Sequence, residues 1–138
     1  MRQRSQAREA ALQVLYQIDI TKFPTDEVLG DFWENYPPAE EGIRSFTDEL
    51  VRGTTEHMGQ IDEVIAGAAE NWHIHRMATI DRNILRLACF ELLFREDIPP
   101  KVSINEAIEL AKRFGDIDSG KFVNGVLDKI ARFAKKKN

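Results

Sequence analysis

The chain has 138 residues, of which 43% are hydrophobic and 30% are charged, so its composition predicts one compact folded unit and excludes a wholly disordered chain. Its one cysteine, Cys89, excludes a disulfide framework within the chain and a metal site built from four thiolates. The sequence holds no apolar run of about 18 residues, the length of a membrane span, and no apolar block of signal-peptide type within residues 1–20. We therefore expect a soluble, cytoplasmic protein that does not bind a membrane.

Charge is distributed unevenly along the chain. The net charge is −4 overall, but it is +2 over residues 1–24, −10 over 25–71 and +4 over 72–138. A basic surface attracts polyanions such as nucleic acids even when the protein as a whole is acidic. The distribution indicates a basic surface that faces an anion, with an acidic region elsewhere on the molecule.

The first half of the chain predicts four helices. Apolar residues spaced on one helical stripe over 7–18 predict the first helix, which ends before Pro24. A second, short helix is predicted over about 26–35. The third begins after Pro38, where two glutamates suit the start of a helix, and Gly59 marks a possible break before the fourth.

The middle of the chain predicts a boundary followed by a buried helix. We place the boundary between two small helical lobes, 1–74 and 75–138, within residues 72–76, and we expect the lobes to form one compact unit. From about Thr79 onward apolar residues occupy most of the helix circumference, which is typical of a central, buried helix. This helix ends before Pro99.

Two more helices complete the predicted fold. Ser103 and Glu106 have the spacing of a capping box at the start of one helix, and Gly115 is a plausible C-cap for it. Ser119 is a plausible N-cap for the last helix. No alternating strand pattern competes with these assignments, so the sequence predicts an all-α protein with about seven helices.

The sequence predicts no catalytic site, metal site or cofactor. Cys89 lies in the most apolar run and is expected to be buried and inert rather than nucleophilic. Gly115 and Gly120 flank a short acidic loop that lacks the lysine and the serine or threonine of a phosphate-binding loop. The abundant carboxylates are spaced as solvated helix faces.

Several runs of residues are similar to those of one known family and occur in the family's order. The most specific runs are DRNILRLA over residues 81–88, INEAIELAK over 104–112 and KFVNGVLD over 121–128. Further matches are Arg8-Glu9, Ala11, Leu15-Tyr16 and Asp19 in the first helix, Trp72 with Arg76, and Glu91-Leu92. Through these residues the chain resembles the NusB family of bacterial transcription antitermination factors, and the likeness is weakest over residues 20–70.

The resemblance carries expectations about fold and function. It implies an all-α fold of two small helical bundles. It also implies that the protein binds the single-stranded boxA segment of ribosomal RNA leaders together with NusE, a ribosomal protein. This complex would help RNA polymerase to resist termination. We expect a binding protein without catalysis and without a cofactor.

The leading RNA-binding candidates lie at the starts of the first and last helices. Basic residues are unfavourable near a helix N-terminus, where the helix dipole is positive, so the arginines of residues 2–8 need another role, and phosphate binding is one. Lys121 and Phe122 would offer an unstacked base a charge and a ring, and the resemblance places them at the RNA-facing edge. The predicted RNA-binding residues are Arg2, Arg4, Arg8, Lys101, Lys121, Phe122 and Asn124. From the residues alone, Phe122 is favoured as a core residue, and Lys101 is equally well explained as an ordinary surface lysine.

A second set of residues is predicted to bind a protein partner. Tyr16 lies near the margin of the buried stripe of the first helix, and Asp81 lies at the start of the central helix. The resemblance implies that both, with Asp118, face NusE. Acidic groups suit a basic ribosomal protein.

Other charged residues are interpreted as structural. Arg82 and Arg86 are one turn apart on the central helix, and we expect them to pair with acids such as Glu106 or Glu109. The Lys135–Lys137 tail is interpreted as a solubilising end of the last helix.

Two other functions are kept as alternatives. The chain could be a NusB-type lobe related to RNA cytosine methyltransferases, although it is too short to hold an AdoMet-binding domain as well. It could also be a helical adaptor that binds protein alone, in which case the partner would bind without any gain in RNA affinity. The sequence leaves the oligomeric state open, and a homodimer is one alternative.

Overall fold

The computed structural model describes residues 2–70 and 73–137, with side chains up to residue 134 at the C-terminal end. Over these residues the chain forms seven α-helices and one short 3-10 helix, with no strand. The helices are α1 (Arg2–Thr21), α2 (Thr25–Asn35), α3 (Glu41–Glu56), α4 (Met58–Ala68), α5 (Thr79–Phe94), α6 (Pro100–Phe114) and α7 (Ser119–Lys137), and the 3-10 helix is Ile74–Arg76. The predicted all-α fold is confirmed. Trp72 and the side chains of the predicted solubilising tail lie outside the described residues.

The central helix α5 determines how the others pack. It contacts α1, α3, α4, α6 and α7, and every one of its residues from 83 to 91 is buried. This confirms the central helix predicted from its all-round apolar pattern. Cys89 lies in this stretch, and burial raises the pKa of its thiol to about 12, so the thiol stays protonated at neutral pH. None of the described helices is both long and apolar enough to cross a membrane.

Many contacts cross the predicted lobe boundary. Helices α1, α3 and α4 pack on α5, and α4 also packs on α7. The boundary itself falls in the 3-10 helix that precedes α5. The division of the chain into residues 1–74 and 75–138 stays a proposal about its organisation.

Two predicted helix boundaries are wrong in detail. The break between α3 and α4 lies at His57, and Gly59 is inside the first turn of α4. Helix α6 begins at Pro100, one turn before the predicted cap, because a proline at the first helical position lacks only an N–H that would be unpaired there anyway. The Ser103 hydroxyl is therefore inside α6, and it donates a hydrogen bond to Glu91 on α5 instead of capping.

A buried ion pair joins α1, α5 and α6. Arg8 of α1 is 2% exposed and forms two hydrogen bonds with the Glu91 carboxylate, from Nε at 2.8 Å and from NH2 at 2.9 Å. Its third nitrogen, NH1, lies 3.3 Å from Glu106 Oε1 on α6, and Ser103 Oγ donates to Glu91 at 2.7 Å. A buried charge is tolerated only when it is paired in this way, so the pairing determines how the three helices align.

A second buried cluster surrounds Asp19 near the C-terminal end of α1. Its Oδ2 atom accepts hydrogen bonds from Arg82 Nε at 2.9 Å, Asn83 Nδ2 at 2.9 Å and Arg86 NH1 at 3.2 Å, all on α5. Arg86 also holds Asp62 of α4 through two hydrogen bonds of 2.8 and 3.0 Å. Burial by itself would raise the pKa of Asp19, but the hydrogen bonds and the two guanidinium charges outweigh it and lower the pKa to about 2.

The structural role predicted for Arg82 and Arg86 is confirmed, but their predicted partners are wrong. They reach Asp19 and Asp62 on α1 and α4, rather than Glu106 or Glu109 on α6. The sequence could not predict these partners, because which carboxylates an α5 side chain can reach depends on which helices pack on that side of α5.

Replacing Glu91 by glutamine is expected to lower the free energy of unfolding by about 3 kcal/mol, because Arg8 would keep a buried charge without its main partner. Urea unfolding followed by circular dichroism measures the change. As a control, Asp128→Asn removes an exposed ion pair with Arg132 and is expected to cost less than about 1 kcal/mol. Equal losses in the two variants would show that the buried pair does not stabilise the fold.

The Asp19 cluster predicts a pH dependence of stability. Because the pKa of Asp19 is about 2 in the folded protein and 3.8 ordinarily, its stabilising contribution is present above about pH 4 and is lost as the pH falls toward 2. Asp19→Asn is therefore expected to be less stable than the wild type at pH 7 but to lose less stability between pH 4 and pH 2. Urea unfolding at a series of pH values tests this, and parallel curves for the two proteins would refute it.

Candidate functional site

The start of α1 forms an exposed basic surface. Arg2 and Arg4 are exposed, and the first turn of α1 contains no acidic residue to complement the helix dipole. The Arg4 guanidinium lies 4.3 Å from the ring centroid of Phe46 on α3, and its NH2 atom is 3.6 Å from Asp97 Oδ2. The exposure predicted for these two arginines is confirmed, and their contact with RNA stays a prediction.

Arg8 does not belong to this exposed surface. The prediction that it contacts phosphate required an accessible guanidinium, and its side chain is enclosed by Glu91 and Glu106. The expectation of an accessible Arg8 is wrong, because Arg8 lies one helical turn after Arg4. At that position α5 and α6 cover its side chain.

Two more basic residues flank the loop between α5 and α6, which lies beside the start of α1. Lys101 is exposed in the first turn of α6, as predicted. Arg95, at the C-terminal end of α5, was not identified from the sequence, and its guanidinium lies 5.4 Å from the Phe46 ring centroid. We call Arg2, Arg4, Arg95 and Lys101 the basic end. The sequence signal for Arg95 was weak, because only the packing of α3 against α1 and α5 brings it to Phe46.

A tight turn at Gly115 positions the start of α7. The Ser119 hydroxyl accepts a hydrogen bond from the Asp116 backbone N–H at 3.0 Å, so it holds the turn and does not cap the amides of α7 as predicted. A Cβ atom at position 115 would overlap the Ser119 side chain and the Ala111 carbonyl oxygen. Glycine is therefore required for this close approach, and the predicted end of α6 at Gly115 is confirmed.

Next to this turn is a cleft of about 280 Å³ with three carboxylates, lined by Met77, Ala78, Asp81, Asp116, Asp118 and Phe122. We call it the acidic cleft. Asp81 is 8% exposed, and over the described part of the chain its Oδ1 atom has no hydrogen-bond partner. Burial raises the pKa of Asp81, and the nearby charge of Asp116 adds to the effect. A cationic group placed in the cleft would satisfy this carboxylate.

The predicted RNA-binding residues at the start of α1 and those at the start of α7 are not neighbours. The start of α7 lies beside Asp81 in the first turn of α5, whereas Arg4 lies beside the loop that follows α5. The stretch of α5 from Asp81 to Glu91 is about 15 Å long, so the two sets are at opposite ends of this helix.

The residues at the start of α7 face outward to different degrees. Phe122 is half-buried, since one side packs on the hydrophobic core and another lines the acidic cleft. Lys121 is exposed and faces a second, shallow depression that also contains Glu70 and Lys129. Asn124 is exposed. Phe122 is therefore partly a core residue and partly a surface residue.

An apolar groove of about 320 Å³ adjoins the acidic cleft through the first turn of α5. It is lined mainly by Leu12, Tyr16, Ile80 and Phe114, and Tyr16 and Phe114 are 37% and 38% exposed. The marginal position predicted for Tyr16 is confirmed. Ile80 and Phe114 were not identified as site residues, because an apolar residue at the edge of a helical stripe has the same sequence signal as a core residue.

Where side chains are described, no group of three or more His, Cys, Asp or Glu residues has an arrangement that could hold a metal ion. The three carboxylates of the acidic cleft do not form such a group either. A cationic side chain of another protein suits the cleft better than a metal ion.

Comparison with other sequences identifies close relatives. A family model described as the NusB family matches residues 5–132. The chain is 52% identical over 128 residues to transcription antitermination protein NusB of Anaeromyxobacter dehalogenans, with 93% of this chain and 89% of that protein covered. It is 52% identical over 124 residues to the protein of the same name from Geobacter sulfurreducens, with 90% of each covered.

Comparison with solved structures gives the same result. T. maritima NusB is similar with a TM-score of 0.85 at 40% identity, over 94% of this chain and 90% of that one. A structure of the antitermination factors NusB and NusE in complex with double-stranded RNA is similar with a TM-score of 0.89 at 31% identity, over 96% of this chain and 98% of that one. The family match over most of the chain and the shared helical fold show that this chain belongs to the NusB family.

Proposed function

We propose that this protein is a transcription antitermination factor that binds a boxA-like segment of ribosomal RNA leaders together with NusE. It acts in the cytoplasm as part of the RNA polymerase antitermination complex, and it acts by binding, without a catalytic step. The observation that carries the proposal is that the basic end lies apart from an apolar groove with an acidic cleft. The relatives of this chain are named transcription antitermination proteins.

The basic end is suited to the RNA backbone. Arg2, Arg4 and Lys101 are exposed and can neutralise phosphates, which releases condensed counterions. At the other end of α5, the half-buried ring of Phe122 with Lys121 and Asn124 can receive a base from a single strand. Phosphate contacts fix the register of the strand and base contacts select its sequence.

The apolar groove and the acidic cleft are suited to a basic protein. Tyr16 offers a partly exposed ring, and Tyr is enriched in the buried centre of interfaces. Asp81 and Asp118 supply negative charge beside the groove, which complements the basic surface expected of a ribosomal protein. A partner docked there would also cover the unpaired oxygen of Asp81.

The alternatives are separated by specific observations. A lobe of an RNA cytosine methyltransferase is disfavoured because the matches cover about nine tenths of relatives named as antitermination proteins. A helical adaptor that binds protein alone predicts no RNA contact at the basic end. A homodimer stays a proposal, and sedimentation of the free protein tests it.

Replacing Arg4 by glutamine is expected to weaken binding of boxA-like RNA about threefold to tenfold and to lower the slope of log K against log salt by about 0.7, as loss of one phosphate contact to a single strand does. Fluorescence anisotropy over a salt series, with NusE present, measures both. The control is Arg52→Gln, which removes an arginine of similar exposure that pairs with Asp26, 48% against 44% for Arg4.

Equal effects of the two arginine variants would remove the basic end from the RNA site. Single-stranded and duplex forms of the same RNA are compared in the same assay, because the similar complex contains double-stranded RNA. Failure of the wild type to bind either form, with NusE present, would contradict the proposed function.

Tyr16→Ala is expected to weaken NusE binding about tenfold, because a partly buried interface tyrosine is a typical anchor. Isothermal titration calorimetry with NusE and no RNA measures this. Tyr16→Phe keeps the apolar contact and should retain most of the affinity. If Tyr16→Ala binds as well as the wild type, the groove is not part of the interface.

A further inference from the structure

The Asp97 carboxylate occupies an anion site at the basic end. Arg95 holds it with two parallel hydrogen bonds, from Nε to Oδ1 at 2.9 Å and from NH2 to Oδ2 at 3.0 Å. Arg4 NH2 lies 3.6 Å from the same Oδ2 atom. Two guanidinium groups, from α1 and from the end of α5, therefore converge on one carboxylate in the loop before α6.

The arginines of this site are held in place independently of Asp97. The Phe46 ring lies 4.3 Å from the Arg4 guanidinium and 5.4 Å from that of Arg95, measured to the ring centroid. Arg95 NH1 also donates to Glu49 Oε1 on α3 at 2.8 Å. The NH1 atom of Arg95 is thus tied to α3, while its Nε and NH2 atoms are directed at Asp97. If the carboxylate moved away, these two donors would stay aligned for another anion.

The geometry suits a phosphate as well as a carboxylate. Both groups present two oxygens that accept parallel hydrogen bonds from a guanidinium. The Asp97 side chain is 51% exposed and lies in a connecting loop, so solvent and ligands can reach it. The hydrogen bonds from Arg95 stabilise the charged carboxylate and lower the pKa of Asp97 to about 2.

We propose that Arg95 and Arg4 form a phosphodiester subsite for the RNA backbone and that Asp97 is its built-in competitor. An RNA phosphate binds there by displacing the Asp97 carboxylate, so the free protein binds RNA more weakly than its basic residues alone would permit. The proposal rests on the proposed function, since it names a further contact of the same RNA-binding surface and a residue that opposes it.

Asp97→Asn tests the competition. The neutral amide is a weaker partner for Arg95, so binding of boxA-like RNA is expected to tighten about fivefold, with a slope of log K against log salt that is steeper by about 0.7. Fluorescence anisotropy measures both, and circular dichroism verifies that the fold is unchanged. Asp97→Ser serves as a second variant with the same expected direction. Unchanged or weaker binding in both variants would overturn the proposal.

Asp26→Asn is the matched control for net charge. Asp26 is also an exposed aspartate paired with an arginine, Arg52, but it lies beyond the opposite end of α1, about 25 Å along that helix from Arg4. The Asp26→Asn substitution removes the same charge as Asp97→Asn and is expected to leave RNA affinity within about twofold of the wild type. An equal gain in Asp26→Asn and Asp97→Asn would reduce the effect to overall charge and overturn the proposal.

A double variant locates the gain. Arg95→Gln combined with Asp97→Asn removes the donors that Asp97→Asn would release, so the gain in affinity is expected to disappear. A gain that persists in the double variant would show that the phosphate does not bind at Arg95.

Inorganic polyphosphate separates this proposal from the proposed function. It carries the phosphate chemistry without bases, and it is tested on the wild type and Asp97→Asn in the same assay. Tighter polyphosphate binding by Asp97→Asn, with no RNA binding by any form, would support the subsite and contradict the proposed function. RNA binding by the wild type, with no change in Asp97→Asn for either probe, would overturn the subsite and leave the proposed function standing.

Discussion

The buried pairing of Arg8 with Glu91 constrains the rest of the structure. A guanidinium in the core has to keep its carboxylate, and because Arg8 lies on α1 and Glu91 on α5, the two helices have one relative position in which this is satisfied. At the other end of the same helix pair, Asp19 collects three donors from α5. These two clusters fix α1 along its length, and the exposed start of α1 is carried on that rigid support.

The same constraint divides the arginines of α1 between structure and surface. Arg8 is used inside the fold, so only Arg2 and Arg4 are available to a ligand. The acids near the basic end matter as much as its bases, because Asp97 and Glu49 already hold Arg95. A molecule with a net charge of −4 can still bind a polyanion here, because the exposed bases Arg2, Arg4 and Lys101 determine the local charge.

The two candidate surfaces lie at opposite ends of α5, and this spacing has a functional consequence. One protein can hold an RNA backbone at the basic end and a basic partner at the acidic cleft without direct competition between their charges. Phe122 lines that cleft at the start of α7, so it is the described residue best placed to contact both ligands. The proposed function is therefore that of a scaffold that joins a nucleic acid to a second protein.

The sequence by itself determined the helices, the central position of α5, the burial of Cys89 and the family, because helical periodicity and specific residue runs are local signals. It also identified Tyr16 as a marginal residue and Arg4 as an exposed base. Only the tertiary structure decided that Arg8 is buried, that Ser103 binds Glu91, and that the start of α7 is far from the start of α1. It also revealed Arg95 beside Asp97. The physical reason is that a charged side chain chooses its partner among the helices packed around it, and those contacts join residues that are far apart in the chain.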